Sequence, residues 1–295
     1  MGNCMKTFFT LALTLFAGWH ASAQVTVEVL QDQDQFLPAE TMPVAVKITN
    51  LSGQSIHLGA APNWLTFSVE SLDGAIVIKK AEVPVQGEFD LESSQMAIKR
   101  VDLEPYFELN KMGRYKIIAT LRIPEWTATM TSSPKICDII HGAKIWDQEF
   151  GVSSGANTLP DVRKYTLEQA SYRDTKNDSQ MRLFIQVSAA DGSHVYHTEK
   201  LGTLLGFSTP EAQIDRLSQL HVLWQSGAQA FSYRLISPEG KIITQETYDN
   251  FGRRPRLGVD QAGRIVVVGG TRRGAVTEMP TVKLPNELSA AQKTN

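Results

Sequence analysis

The chain has 295 residues with 29 basic and 31 acidic side chains, 42% hydrophobic and 20% charged residues, and two cysteines. A chain of this length buries a core without covalent staples, and its composition is globular rather than disordered. A formal charge of -2 supplies no basic field to gather phosphates, so nucleic acid is excluded as a general partner.

Residues 1–23 read as an export signal. Lys6 provides the positive start, Phe8 to Gly18 is an uncharged apolar run, and Ala21-Ser22-Ala23 is a small-x-small cleavage site, placing the mature start at Gln24. The run is too short for a bilayer span of about 20 residues, and no later stretch approaches that length, so no transmembrane segment is expected. The expected location is the periplasm or the exterior of a bacterial cell. Cys4 precedes the apolar run, where a lipid-bearing cysteine would have to follow it, and Cys137 is then the one thiol of the mature chain.

From Gln24 onward the pattern is strand after strand. Val25 to Leu30 and Val44 to Ile48 alternate apolar and polar residues, as half-buried strands do. Leu65 to Val69, Asp73-Gly74 and Ala75 to Ile78 read as a hairpin closed by an Asp-Gly turn. Gly113-Arg114-Tyr115 heads a long alternating strand to Leu121, and this Gly-x-Tyr resembles the tyrosine corner of immunoglobulin-like sandwiches, where the phenol bonds back to an upstream loop. Pro134 to Ile140 and Ala143 to Phe150 are the candidates for its closing strands. Residues 24–152 are therefore expected to form an immunoglobulin-like β-sandwich, with Gly113 and Tyr115 in structural roles. The polar, Gly- and Pro-containing stretch 153–161 reads as a linker.

The second half repeats itself. Asp191-Gly192-Ser193 is answered by Glu239-Gly240-Lys241, each after an alternating strand. Pro210, Ile214, Asp215 and Leu220 to Leu223 match Pro255, Val259, Asp260 and Ile265 to Val268 at a constant offset (260 - 215 = 45). A period in the mid-forties with short strands is that of propeller blades, so residues 162–280 are expected to form a propeller-like β-repeat domain, with 281–295 as a flexible tail. About 120 residues hold too few units for a closed ring of at least four blades, which leaves a compact β domain or an open fragment. The expected class is all-β throughout.

Candidate chemistry is sparse. There is no G-x-S-x-G elbow, H-E-x-x-H, Walker loop or G-x-G-x-x-G after a strand. His194 and His197 lie three apart, and on a strand they point to opposite faces, so no metal site and no cofactor are expected. Gly269-Gly270 reads as a turn. Asp215 and Asp260, at equivalent repeat positions, are read as residues that hold turns. His221 and Trp224 fall on opposite faces of one strand.

Arg253, Arg254, Arg256, Arg272 and Arg273 form two clusters that emerge together if the intervening residues make a hairpin, which defines a candidate anion-binding patch; the competing reading pairs them with Glu246, Asp249 and Glu278. The sequence thus points to an exported, non-enzymatic binding or scaffolding protein of the bacterial envelope, with an unidentified protein or glycan partner. The alternatives are a hydrolase or carbohydrate-active accessory whose carboxylates converge in the repeat domain, and a peptide-capturing, inhibitor- or chaperone-like sandwich.

Overall fold

The computed structural model describes residues 24–126, 128–152, 161–173, 179–206 and 208–274; over these the chain is nearly all-β, with 58% in strands and no helix of seven residues or more. None of the described helices is long and apolar enough to cross a membrane. The expected signal segment, the flexible tail and most of the expected linker lie outside the described residues.

The first ten strands build two facing sheets and a short two-stranded one. They are β1 (Gln24–Leu30), β2 (Gln35–Phe36), β3 (Pro43–Leu51), β4 (Ile56–Leu58), β5 (Leu65–Ser71), β6 (Phe89–Leu91), β7 (Met96–Asp102), β8 (Gly113–Ile123), β9 (Ala128–Thr131) and β10 (Lys135–Ile139). One sheet runs β1-β3-β7, the other β2-β10-β8-β5 with β9 added to β8, and β4 pairs with β6. Period-two alternation aims Val25, Val27 and Val29 of β1, Val44, Val46 and Ile48 of β3, and Tyr115, Ile117, Ala119, Leu121 and Ile123 of β8 into one shared core. Each Val, Leu or Ile side chain among them, fully buried, contributes about 1.5–3 kcal/mol relative to exposure.

Two local features of this half bear on the sequence reading. The Tyr115 hydroxyl donates to the Lys111 carbonyl at 2.7 Å. Gly113 sits at φ +147, where a Cβ would lie 2.5 Å from the Asp73 carboxylate, whose Oδ2 accepts from the Arg114 amide at 2.8 Å, so only glycine fits.

The Asp73-Gly74 hairpin does not form. β5 pairs instead with β8, from Leu65↔Leu121 to Ser71↔Tyr115, and the chain after Gly74 crosses to the loop before β8, where Lys80 N donates to Tyr106 O and Glu108 N to Ile78 O. The reason is burial: β8 brings a continuous row of inward apolar residues, whereas Ile76 is 85% exposed.

In the second half, β11 (Ala143–Val152), β12 (Asp161–Arg173), β13 (Ser179–Ala189) and β14 (Val195–Thr203) make a four-stranded antiparallel meander. β15 (Glu211–Ile214), β16 (Leu220–Gln225), β17 (Ala230–Ile236) and β18 (Ile242–Asp249) make the next one. The hairpin β19 (Arg256–Val259) and β20 (Ile265–Val268) follows, and β21 (Thr271–Arg272) joins the free edge of β18.

Ala143 to Phe150, expected among the closing strands of the sandwich, pairs across the expected linker with β12, because its inward residues belong to the second core. Phe150 stacks on Tyr165 at 4.0 Å between ring centroids. Asp161, placed in the linker by sequence, is the first residue of β12.

The sheets stack in file, and the described strands close no propeller ring. Leu167, Leu183, Ile185 and Val187 of the first meander meet Leu220, Val222, Trp224 and Ile236 of the second. The other face of the second meander, through Leu223, Phe231 and Tyr233, meets Leu257, Ile265 and Val267 of the hairpin. β16 is accordingly buried on both faces, with Leu220 to Trp224 all buried.

The sandwich touches the first meander through the loop before β3. Thr198 N donates to Ala39 O at 3.0 Å and its hydroxyl to Pro38 O at 2.6 Å. Glu40 is buried there, accepting from Leu37 N at 2.8 Å and Gln33 Nε2 at 3.1 Å.

Candidate functional site

The two halves of the repeat build one turn twice. Asp215 N donates to Gln219 O and Asp260 N to Arg264 O, both at 2.9 Å. Asp215 Oδ1 accepts from the amides of Leu217 at 2.8 Å and Gln219 at 2.9 Å, and Asp260 Oδ1 accepts from those of Ala262 and Arg264, each at 2.9 Å. Ser218 at φ 59 and Gly263 at φ 75 occupy the same left-handed position. A short carboxylate that bonds backbone two and four residues on is what such a turn selects.

The second oxygen of each aspartate has a different use. Asp260 Oδ2 accepts from Arg264 Nε at 2.8 Å on the surface. Asp215 Oδ2 faces His221 Nε2 at 3.4 Å, and His221 Nδ1 lies 2.9 Å from the Tyr233 hydroxyl. Since the carboxylate can only accept, Nε2 carries a proton, and in the neutral ring Nδ1 accepts from Tyr233. Both rings are buried, and burial with the Glu246 and Asp215 carboxylates pushes the Tyr233 phenol up to about 12. Tyr233 therefore remains a hydrogen-bond donor across the physiological range.

This chain of polar groups lines a cavity of about 510 Å³ between β16–β17 and the turn of the β19–β20 hairpin. Leu217, Leu235, Ile265 and Val266 supply apolar wall, and Arg216 and Arg264 add two guanidinium groups. Concave, largely apolar space with a few fixed polar groups is what a ligand seat requires. Among the described residues its one lining carboxylate, Asp215, is already committed to its own turn and to His221. Among the described residues no group of three or more His, Cys, Asp or Glu side chains is placed to hold a metal ion.

The arginine clusters do adjoin each other: Gly270 N donates to Arg253 O at 2.8 Å, and Gly269 and Gly270 turn at φ 76 and 66 against Arg253 to Pro255. Arg272 is paired with Glu246 at 2.8 Å, and Arg273 engages Asp249 through Nε at 3.2 Å and Nη2 at 2.5 Å. Arg254 lies over the Phe231 ring at 5.3 Å, and Arg253 and Arg256 are exposed. Two of the five thus have the carboxylate partners of the competing reading; Glu278, the third partner in that reading, lies outside the described residues.

The remaining sequence candidates are structural in their contacts. Cys137 is buried in the sandwich core, which pushes its thiol up to about 12. His197 pairs with Glu199 at 3.1 Å, while His194 meets the Tyr196 ring edge-on. Trp64 and Trp224 are core residues whose indole N–H groups donate to Val85 O and Thr203 O, both at 2.9 Å.

Sequence reading missed Tyr233. The register sets Leu223 opposite Tyr233 on the same face as His221, so the two rings are diagonal neighbours across β16 and β17. The opposite facing of His221 and Trp224 was the available signal for half of the pair.

No protein-family model matches the chain, and no curated protein matches it.

Proposed function

We propose that this chain is an exported, non-enzymatic binding protein of the bacterial envelope, built as an immunoglobulin-like sandwich followed by a propeller-like repeat region, whose glycan or protein partner inserts a polar group between the second and third repeat units. The observation that carries this reading is the cavity lined by the Asp215–His221–Tyr233 chain. It offers fixed donors and apolar wall, as binding requires, and among the described residues it lacks the second carboxylate that glycoside hydrolysis needs. The tyrosine contact at Lys111 and the stacked four-stranded meanders support the two finer fold assignments.

Peptide capture by the sandwich is less supported. Of the two outer strands of the β1-β3-β7 sheet, β7 carries Lys99 and Arg100 and β1 carries Glu28, and charged side chains discourage strand addition at an edge.

The test is titration of the mature protein with soluble cell-wall glycan fragments and envelope peptides, followed by amide chemical shifts. Saturable shifts at His221, Tyr233 and Ala262 to Val266, lost in Tyr233→Phe, are expected. A response confined to other surfaces would overturn the assignment of the seat. Recovery of protein beginning at Gln24 from the periplasm or medium is expected, and retention of the intact chain in the cytoplasm would remove the exported part of the reading.

A further inference from the structure

A second polar cavity, of about 290 Å³, opens beside β17, β18 and β21 and is lined by Arg234, Glu246, Thr247, Arg272 and Arg273 among others. Its charges do not balance. Arg272 pairs with Glu246, whose other oxygen accepts from the Tyr248 hydroxyl at 2.6 Å, and Arg273 is held by Asp249.

Arg234 has no carboxylate partner among the described residues. Its Nη1 donates to the carbonyls of Tyr233 at 2.8 Å and Glu246 at 3.4 Å. Its Nε is buried with no hydrogen-bond partner, and the guanidinium lies over the Trp224 ring at 5.4 Å. Desolvation accordingly lowers its affinity for the proton.

A half-buried cation without a counter-charge is costly, and an unbonded buried N–H adds to the cost. The Nε and Nη2 groups form one edge of the guanidinium, the edge that receives the two oxygens of a carboxylate, sulfate or phosphate in fork geometry. On Arg234 it is this edge that lacks a partner among the described residues.

We infer that this cavity is a binding site for a compact oxyanion, a sulfate, phosphate or sugar carboxylate, engaged by Arg234 with Arg272 and Arg273 as flanking charges. The Trp224 ring lies beneath the guanidinium, and Thr247 and Gln245 add neutral polar groups at the wall. Of the five arginines of the sequence-based anion patch this site contains Arg272 and Arg273, with Arg234 in place of the other three, and it does not depend on the cavity at His221.

The experiment titrates the mature protein with sodium sulfate, sodium phosphate and sodium glucuronate at constant ionic strength, with sodium chloride as the control, following the Arg234 Nε–H resonance and calorimetric heat. Saturable binding of at least one of the three anions is expected, with the choice among them distinguishing a free inorganic ion from a sugar acid. Arg234→Gln is expected to weaken it by about tenfold or more, since a charge-assisted fork is lost. Arg272→Gln, at an exposed position that leaves the core intact, is expected to weaken it by about three- to tenfold and serves if the Arg234 variant does not fold. Arg253→Ala/Arg256→Ala is expected to bind as the parent does.

Equal binding by the parent and Arg234→Gln, or no saturation with any of the three anions, overturns the inference. So does an unchanged affinity in Arg272→Gln. Loss of the response in Tyr233→Phe but not in Arg272→Gln would assign the anion to the other cavity and leave the proposed seat standing.

Discussion

The turns at Asp215 and Asp260 have nearly the same backbone bonds, yet one ends in a buried imidazole and the other in a surface guanidinium. The difference lies in what covers them. The strand after Asp215 is enclosed between the first meander and the β19–β20 hairpin, so its polar groups must find partners inside the protein. The strand after Asp260 is only half-buried, with Val268 exposed, and Arg264 extends into solvent. One local motif thus serves as plain turn closure at the end of the stack and as part of a polar cavity wall inside it.

The enclosure itself is the first thing to break. Trp224→Ala removes a fully buried ring from the second core and should cost about 3–5 kcal/mol, whereas Val267→Ala in the hairpin should cost about 1 kcal/mol or slightly more. Urea denaturation reads both, and equal losses would show that the hairpin is as deeply packed as β16.

Removing the aspartates comes next. Asp215→Ala should cost about 2–3 kcal/mol, because it strips two amides and leaves His221 without its carboxylate, and Asp260→Ala about 1 kcal/mol. If the two cost the same, the link to His221 contributes nothing to folding.

Tyr233→Phe should cost about 1 kcal/mol and shift the nitrogen resonance of His221 Nδ1, which loses its donor. An unmoved Nδ1 signal would place that donor elsewhere.

The smallest effect concerns the contact between the sandwich and the first meander. Burial raises the Glu40 carboxyl above its ordinary value, against the opposing pull of the Leu37 amide, Gln33, Lys200 and Arg182. A folded value above the unfolded one means the contribution to stability is fully present below the unfolded value near 4.5 and lost as pH rises through the folded one. Glu40→Gln should therefore gain stability relative to the parent as pH increases over that window. A difference between the two proteins that does not change with pH removes Glu40 from the linkage.

How far the sequence could be read depends on the range of the interaction. Alternation located β1, β3 and β8, since period two is a property of the single strand. The repeat offset located both aspartate turns, whose bonds span four residues. Asp73-Gly74 misled because a turn dipeptide states that the chain bends without stating what the next segment pairs with; β5 pairs with β8 and not with Ala75 to Ile78. Nothing local in Ala143 to Phe150 marks which half it joins, and only the presence of Tyr165 and Leu167 across the ladder draws it into the second half.

By itself, then, the sequence determined the all-β character, the repeat, the turns at Asp215 and Asp260, and the opposite facing of His221 and Trp224, all of which follow from backbone geometry within a few residues. Tertiary structure alone decided that His221 meets Tyr233 and that Arg234 lies beside Trp224 with no carboxylate among the described residues. Those outcomes depend on register between strands and on the stacking of one sheet on the next, which the chain reaches by comparing the burial of whole faces rather than by any local preference.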